Sequence, residues 1–173
     1  MSKESIHKLH VYWGDGKGKT TAAMGLALRA LAAGQRVTVV QFLKNGDSGE
    51  ITMLRRLGAA VYSGKGVTKF VGQMTDEEKA AAIEIQNYNL RRGLAEGADM
   101  LILDEICAAW NYGMADKVLL RAAVEDAPVE REVVMTGREP ADWMRAAADY
   151  DTEMKCHRHP YQWGVTARKG VEL

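Results

Sequence analysis

The sequence has few cysteines and no net charge, and each of these features excludes a class of protein. Cys107 and Cys156 are the only two cysteines. They lie far apart, so we expect reduced thiols and no disulfide framework. The 23 basic and 23 acidic side chains give a formal charge of zero, so no overall field attracts nucleic acid or an anionic membrane. An anionic ligand must therefore be held by a local site.

Long apolar runs are absent as well. We find no stretch of about 18 apolar residues that would span a membrane and no cleavable apolar leader, so we expect a cytoplasmic protein. The composition, 47% hydrophobic and 27% charged, is that of a globular chain and is too apolar for a disordered one. The 173 residues predict a single domain, 1–173, which buries roughly 70% of the unfolded surface without disulfides.

Short apolar runs alternate with helical patterns along the whole chain. Strands are predicted at 7–13, 36–43, 59–62, 100–103, 132–136 and 150–154, and helices at 19–33, 50–57, 118–125 and 141–147 and from a capping box at 75–78 to about 96. Residues 63–73 have three glycines and no period, which predicts a long loop. This alternation predicts an α/β fold: a mostly parallel sheet with helices on both faces and ligands at the carboxyl ends of its strands.

A glycine-rich segment, GDGKGKTT at 14–21, lies between the first strand and the first helix. It is close to the phosphate-loop pattern G-x-x-x-x-G-K-[ST], but Trp13 stands where the first glycine belongs, so the loop is one residue short. Glycines allow the backbone amides to turn toward phosphate oxygens, and the helix N-terminus and Lys19 add positive charge. The Thr20 hydroxyl can bind a Mg²⁺ ion on those phosphates. We therefore predict a nucleotide site here.

Further polar residues follow the predicted strands. Asp104-Glu105 ends the strand at 100–103, where one carboxylate can bind Mg²⁺ and the other can cap a helix. Arg138 follows the strand at 132–136 on the same edge, either as a phosphate clamp or as a surface arginine. No role is assigned to Arg29 or to the stretch Cys156-His157-Arg158-His159, which has too few ligands for structural zinc.

Over almost its whole length the sequence resembles the ATP:corrinoid adenosyltransferases. The resemblance lies in GDGKGKTTAAMGLALRA (14–30), VVQFLK (39–44), LILDEI (101–106), VVMTGR (133–138) and HPYQWGVTARKGVEL (159–173). These enzymes transfer the 5′-deoxyadenosyl group of ATP to the cobalt(I) of cobalamin or another corrinoid and release triphosphate. The resemblance implies a RecA-like phosphate-loop fold in which the triphosphate lies in the reverse of the usual direction. A shortened loop suits that task, because the ribose 5′-carbon is the electrophile.

The resemblance also implies ligands, partners and roles. ATP and a reduced corrinoid are the substrates, Mg²⁺ is the metal, an electron-donating flavoprotein is a partner, and the chain forms a homodimer. Lys19 and Glu105 are the implied catalytic residues, and Thr20 and Glu105 the implied metal ligands. The implied nucleotide contacts are Gly14, Asp15, Gly16, Lys17, Gly18, Lys19, Thr20, Thr21 and, more weakly, Arg138.

The loop that covers the corrin departs from the family pattern. Many relatives have G-F-T-W, whereas this chain has Gly66-Val67-Thr68-Lys69-Phe70. Val67, Lys69 and Phe70 are therefore the predicted corrin contacts.

Two other functions fit the same phosphate loop. An ordinary ATPase or kinase of this fold would act on the γ-phosphoryl group and would need a base or a water-positioning residue, which the sequence does not single out. A regulatory protein that senses ATP without chemistry would bind the nucleotide and form no corrinoid-dependent product.

Overall fold

The computed structural model describes residues 8–64 and 69–171. Its strands are β1 (Leu9–Trp13), β2 (Val37–Gln41), β3 (Ala60–Ser63), β4 (Met100–Asp104), β5 (Glu132–Gly137) and β6 (Tyr150–Glu153). Its α-helices are α1 (Lys19–Ala32), α2 (Gly49–Arg56), α3 (Asp76–Ala95), α4 (Ile106–Asn111), α5 (Lys117–Glu125) and α6 (Asp142–Ala147). Within these ranges, no helix has both the length and the apolar character needed to cross a membrane.

The six strands form one sheet in the order β3-β2-β4-β5-β1-β6. Every strand pair is parallel. In the register, Trp13 of β1 lies beside Gly137 of β5, and Gln41 of β2 lies beside Asp104 of β4. The carboxyl ends of these four strands therefore share one edge of the sheet, as the α/β pattern predicts.

Two apolar cores lie on opposite faces of the sheet. One face packs Val39, Ile102 and Val134 against α1 and α2. The other packs Leu101 and Met135, with neighbouring strand residues, against α3, α4, α5 and α6. Alternate residues of a strand point to opposite faces, so a strand covered on both sides is apolar throughout. The predicted arrangement of helices on both faces is confirmed.

Local signals predicted the start of α3 and the end of α1. The Thr75 hydroxyl accepts a hydrogen bond from the Glu78 amide at 3.2 Å, and the Glu78 carboxylate accepts one from the Thr75 amide at 2.9 Å. This is the predicted capping box. After α1, Gly34 has φ +79° and donates its amide to Leu31, a left-handed turn that glycine adopts without steric cost.

Several predicted boundaries were wrong. The strand predicted at 36–43 ends at Gln41, and Leu43 has a left-handed φ of +55°, so the chain turns away from the sheet there. Within the loop predicted at 63–73, Ser63 belongs to β3 and Val71–Gln73 form a 3₁₀ turn. Helix α4, which has six residues, was not predicted.

Candidate active site

The glycine loop, residues 14–21, packs against the end of β6. The Gly14 amide donates to the Arg138 carbonyl at 3.0 Å, and the Gly16 amide donates to the Met154 carbonyl at 2.7 Å. A Cβ atom on Gly16 would lie 2.7 Å from that Met154 oxygen, and Gly14 has φ +110° besides a similar close approach. Both positions require glycine, because a side chain would collide with backbone.

Trp13 occupies the position of the missing first glycine. It is the last residue of β1, and its indole N–H donates to the Asp151 carboxylate at 2.6 Å. The Arg145 guanidinium lies 4.6 Å from the centroid of its ring. This position is therefore used to pack β1 against β6 and α6, and the loop starts one residue later.

Lys19 is the first residue of α1 and lies partly buried over the loop. Its ammonium donates to the Gly16 carbonyl at 2.8 Å. Burial lowers the pKa of Lys19, an effect that nearby Glu105 opposes and nearby Arg138 reinforces. A cation with incomplete solvation attracts an incoming anion more strongly than one in bulk water does.

Asp104 is the most connected side chain at this edge, and none of its surface is exposed. One of its oxygens accepts from the Thr20 hydroxyl at 2.9 Å and from the Thr136 hydroxyl at 2.8 Å. The other accepts from the Gln41 amide at 3.0 Å and from the Lys44 ammonium at 2.7 Å. Asp104 thereby links the glycine loop to the ends of β2, β4 and β5.

Lys44 was not predicted as a site residue, although it ends the segment VVQFLK. Burial alone would raise the pKa of Asp104, but the Lys44 ammonium and the hydrogen bonds hold that pKa below its ordinary value. The same ammonium donates to the Thr20 hydroxyl at 3.1 Å. A cation three residues beyond a strand that ends at the ligand edge was the available signal, and only the turn at Leu43 directs it toward Asp104.

Glu105 has a strained backbone and a half-buried side chain. Its φ is +62° and its ψ is 25°, a left-handed conformation that costs a residue other than glycine roughly 1–2 kcal/mol. Its amide donates to the Thr136 hydroxyl at 2.9 Å. Burial raises the pKa of Glu105, and the nearby ammonium groups oppose that shift. Glu105 is the N-cap residue of α4, but its side chain makes no capping hydrogen bond to that helix.

The C-terminal segment covers one side of the glycine loop. The Lys17 ammonium donates to the Val171 carbonyl at 3.0 Å. The Asp15 carboxylate accepts from the Cys156 amide at 2.9 Å, a contact that lowers the pKa of Asp15. The stretch at 156–159, which had no assigned role, therefore begins beside the predicted nucleotide site.

The remaining predicted nucleotide contacts are more exposed. Gly18 is the N-cap residue of α1 and has φ +121°. Thr21 lies exposed in the first turn of that helix, and Arg138 is exposed directly after β5. Arg29 is exposed near the last turn of α1, away from the loop.

Two of the predicted corrin contacts lie before α3. Phe70 is 82% exposed. The Lys69 ammonium pairs with Glu78 of the capping box at 2.5 Å. Val67 lies outside the described residues.

A cavity of about 300 Å³ opens at the carboxyl end of β2. It is lined by Gln41, Leu43, Lys44, Asn45, Gly46, Asp47 and Ser48. The cavity therefore adjoins the Asp104 network on the side of Lys44.

Both cysteines are unpaired. Burial raises the pKa of Cys107 to about 12, so its thiol is protonated at neutral pH and is not a nucleophile. A Cβ atom on Gly137 would lie 2.3 Å from the Cys107 Cβ, so this cysteine packs tightly beneath the strand that leads to Arg138.

The parallel sheet, the glycine loop after β1 and the acidic residue at the end of β4 define an α/β protein with a fold of the phosphate-loop NTPase type.

Comparison with known proteins gives the family. The family model described as ATP:corrinoid adenosyltransferase BtuR/CobO/CobP matches residues 6–173, and the chain belongs to this family of enzymes, which transfer an adenosyl group to a corrinoid. A corrinoid adenosyltransferase of Pseudomonas aeruginosa is 34% identical over 95% of this chain and 83% of its own length. The corrinoid adenosyltransferase of Escherichia coli K12 is 32% identical over 94% of this chain and 83% of its own length.

Proposed function

We propose that the chain transfers the 5′-deoxyadenosyl group of ATP to the cobalt(I) of a corrinoid and releases triphosphate, with the nucleotide at the sheet edge around Asp104. One observation carries the assignment of this site. The Thr20 hydroxyl of the glycine loop is hydrogen-bonded to the buried Asp104, with Lys19 and Glu105 beside them. Family membership supports the reaction, and this arrangement supports its location.

The triphosphate binds to the first turn of α1. The first amides of a helix have no carbonyl partner within the helix, and those at Gly18 to Thr21 face the position where a phosphate group is held in such loops. The amides of Gly14 and Gly16 are already donated to protein carbonyls, so they shape the loop. The Lys19 ammonium exchanges the Gly16 carbonyl for a phosphate oxygen.

The donors at this edge fit Mg²⁺, which prefers hard oxygen ligands and needs only one or two from the protein when phosphates supply others. Thr20 and Glu105 would hold the ion. Asp104 orients Thr20, because it accepts that hydroxyl's hydrogen. One lone pair of the Thr20 oxygen accepts from the Lys44 ammonium, and the other is left for the ion. When bound, Mg²⁺ supplies positive charge that neutralises the departing triphosphate.

The reaction is a displacement at carbon. The electron pair of cobalt(I) forms the cobalt–carbon bond at the ribose 5′-carbon, and the carbon–oxygen bond breaks with its electron pair leaving on triphosphate. Cobalt(I) is itself a strong nucleophile, so no general base is needed. The chain aligns the two substrates and stabilises the leaving charge through Lys19 and the α1 amides.

The remaining assignments rest on the resemblance, except that the single domain and the cytoplasmic location rest on the length of the chain and on its lack of long apolar runs. Arg138 contacts the phosphates, and Lys69 and Phe70 contact the corrin. Residues 1–173 act as a single nucleotide-binding domain in a cytoplasmic homodimer, and a flavoprotein supplies the electron that reduces the corrinoid.

An anaerobic assay with γ-labelled ATP, Mg²⁺ and chemically reduced cobalamin tests the reaction. We expect label in inorganic triphosphate, in amounts equal to a photolabile cobalt–carbon product. Label found only in orthophosphate, without dependence on the corrinoid, would identify an ordinary ATPase instead. Nucleotide binding with neither product would indicate a sensor.

A further inference from the structure

The Lys44 ammonium lies between two oxygen donors of the proposed nucleotide site. It is 2.7 Å from a carboxylate oxygen of Asp104 and 3.1 Å from the Thr20 hydroxyl oxygen. Both partners are oxygen donors suited to a hard cation. A second cation close to these oxygens would meet strong repulsion from the ammonium, because the Asp104 carboxylate is fully buried and screening there is weak.

The side chain of Lys44 can leave this position, whereas its backbone cannot. The Gly64 amide donates to the Lys44 carbonyl, and the Leu43 amide donates to the buried Gln86 side chain at 2.8 Å, which fixes the turn. The Lys44 side chain is 33% exposed and lines the 300 Å³ cavity at the end of β2. An unbranched lysine chain with open space on one side can redirect its ammonium without a change in the fold.

We propose that Lys44 is a movable cation of the active site. In the substrate-free enzyme it neutralises Asp104 and excludes a divalent metal from Thr20. When the metal enters with the nucleotide, the ammonium moves from Asp104 and Thr20 onto a triphosphate oxygen, so the site gains a metal without losing the positive charge that the leaving group requires. This rests on the proposed nucleotide site, and it adds a triphosphate ligand from the segment after β2 to those of the glycine loop.

Mn²⁺ binding to the nucleotide-free protein, measured from the loss of the free-ion paramagnetic resonance signal, tests the first half of this proposal. Lys44→Gln removes the charge and keeps a donor for Asp104. We expect it to bind Mn²⁺ at least about tenfold more tightly than wild type, because a repelling charge has gone. Lys44→Arg keeps the charge and should bind Mn²⁺ as weakly as wild type. Lys155→Gln is the matched control, because it removes an exposed cation paired with Glu153, and we expect a change below about twofold.

Transfer kinetics test the second half. We expect Lys44→Gln to lose about tenfold or more in kcat, although its metal affinity rises, since a contact to the leaving triphosphate is missing. Weaker or unchanged Mn²⁺ binding in Lys44→Gln would overturn the proposal, and so would an unchanged kcat. If Lys44→Gln does not fold, Lys44→Asn, which also removes the charge and keeps a side-chain donor, replaces it and is judged by the same two measurements. The Mn²⁺ comparison needs no turnover, so wild-type protein that makes no adenosylated corrinoid would refute the proposed function while leaving the metal exclusion by Lys44 to be judged separately.

Discussion

The pairing of Lys44 with Asp104 predicts strong energetic coupling between the two side chains. The perturbation is a double-mutant cycle of Lys44→Met and Asp104→Asn. Lys44→Met leaves a fully buried carboxylate that still accepts from Thr20, Thr136 and Gln41, so we expect a loss of about 3 kcal/mol, the low end for a broken buried pair.

Asp104→Asn should lower the free energy of unfolding less than Lys44→Met does. The side-chain carbonyl oxygen of Gln41 has no hydrogen-bond partner, so its amide can turn over and accept from the new Asn N–H₂. The two hydroxyls can keep the remaining oxygen. The substitution removes the charged hydrogen bond from Lys44, which costs about 2 kcal/mol. The cost is no larger because the Lys44 side chain is one-third exposed and its ammonium can return to water.

The double variant contains neither charge, so it should be destabilised by about 2–3 kcal/mol. The two single effects add up to about 5 kcal/mol, so the coupling energy should be about 2–3 kcal/mol. Urea unfolding at pH 7, with equal m values for all four proteins, measures it. Additive single effects, within about 0.5 kcal/mol, would refute this account of the pair.

The pairing of Lys44 with Asp104 also predicts how the free energy of unfolding depends on pH. The folded-state pKa of Asp104 is lowered, so its contribution to stability is present above the ordinary carboxyl pKa of about 4 and is lost as the pH falls through the folded value. The stability difference between wild type and Asp104→Asn should therefore be full at pH 7 and should shrink below about pH 4. A difference that stays constant down to pH 3 would contradict the assignment.

Four further predictions concern the site. Lys19→Ala should slow transfer roughly a hundredfold or more in a steady-state assay, because the leaving charge loses its cationic partner. Glu105→Gln should weaken the Mg²⁺ dependence of activity. Because burial raises the pKa of Glu105, its ionised form destabilises the fold, so Glu105→Gln should raise the melting temperature of the substrate-free protein at pH 8 and not at pH 4. Gly16→Ala should impair transfer at least about tenfold by displacing the loop, whereas Gly25→Ala, with no atom within 4 Å of the new Cβ, should stabilise the fold by about 1 kcal/mol in urea. Phe70→Ala should raise the KM for the corrinoid and leave that for ATP unchanged, and equal effects on both would place Phe70 in the nucleotide site.

Local features of the sequence were enough to predict the fold class, the start of α3, the glycine loop and the family. The alternation of apolar runs and helical patterns predicted the parallel sheet, because strands buried on both faces must be apolar throughout. The capping box at Thr75 and the segment GDGKGKTT are complete within a few neighbouring residues. Family membership was also readable from the linear pattern.

The tertiary structure decided which contacts each residue of the site makes. Sequence left open which of Asp104 and Glu105 would cap a helix; in the structure Glu105 is the N-cap residue of α4, but its side chain makes no capping hydrogen bond. Asp104 became the buried hub because the strand order brings β2 and β5 to either side of β4, which places Gln41 and Thr136 within hydrogen-bond distance. The role of Lys44 depends on the same neighbours.

The short loop has the same explanation. Gly14 and Gly16 are needed because a side chain at either position would collide with the backbone at Met154, far along the chain, against which their amide contacts hold the loop. Local periodicity carries no information about contacts between segments more than a hundred residues apart, since strand order and register set them through burial of the whole sheet. The sequence alone therefore indicated the glycine loop and the acidic pair, and packing determined that they meet and that Gln41, Lys44 and Thr136 join them.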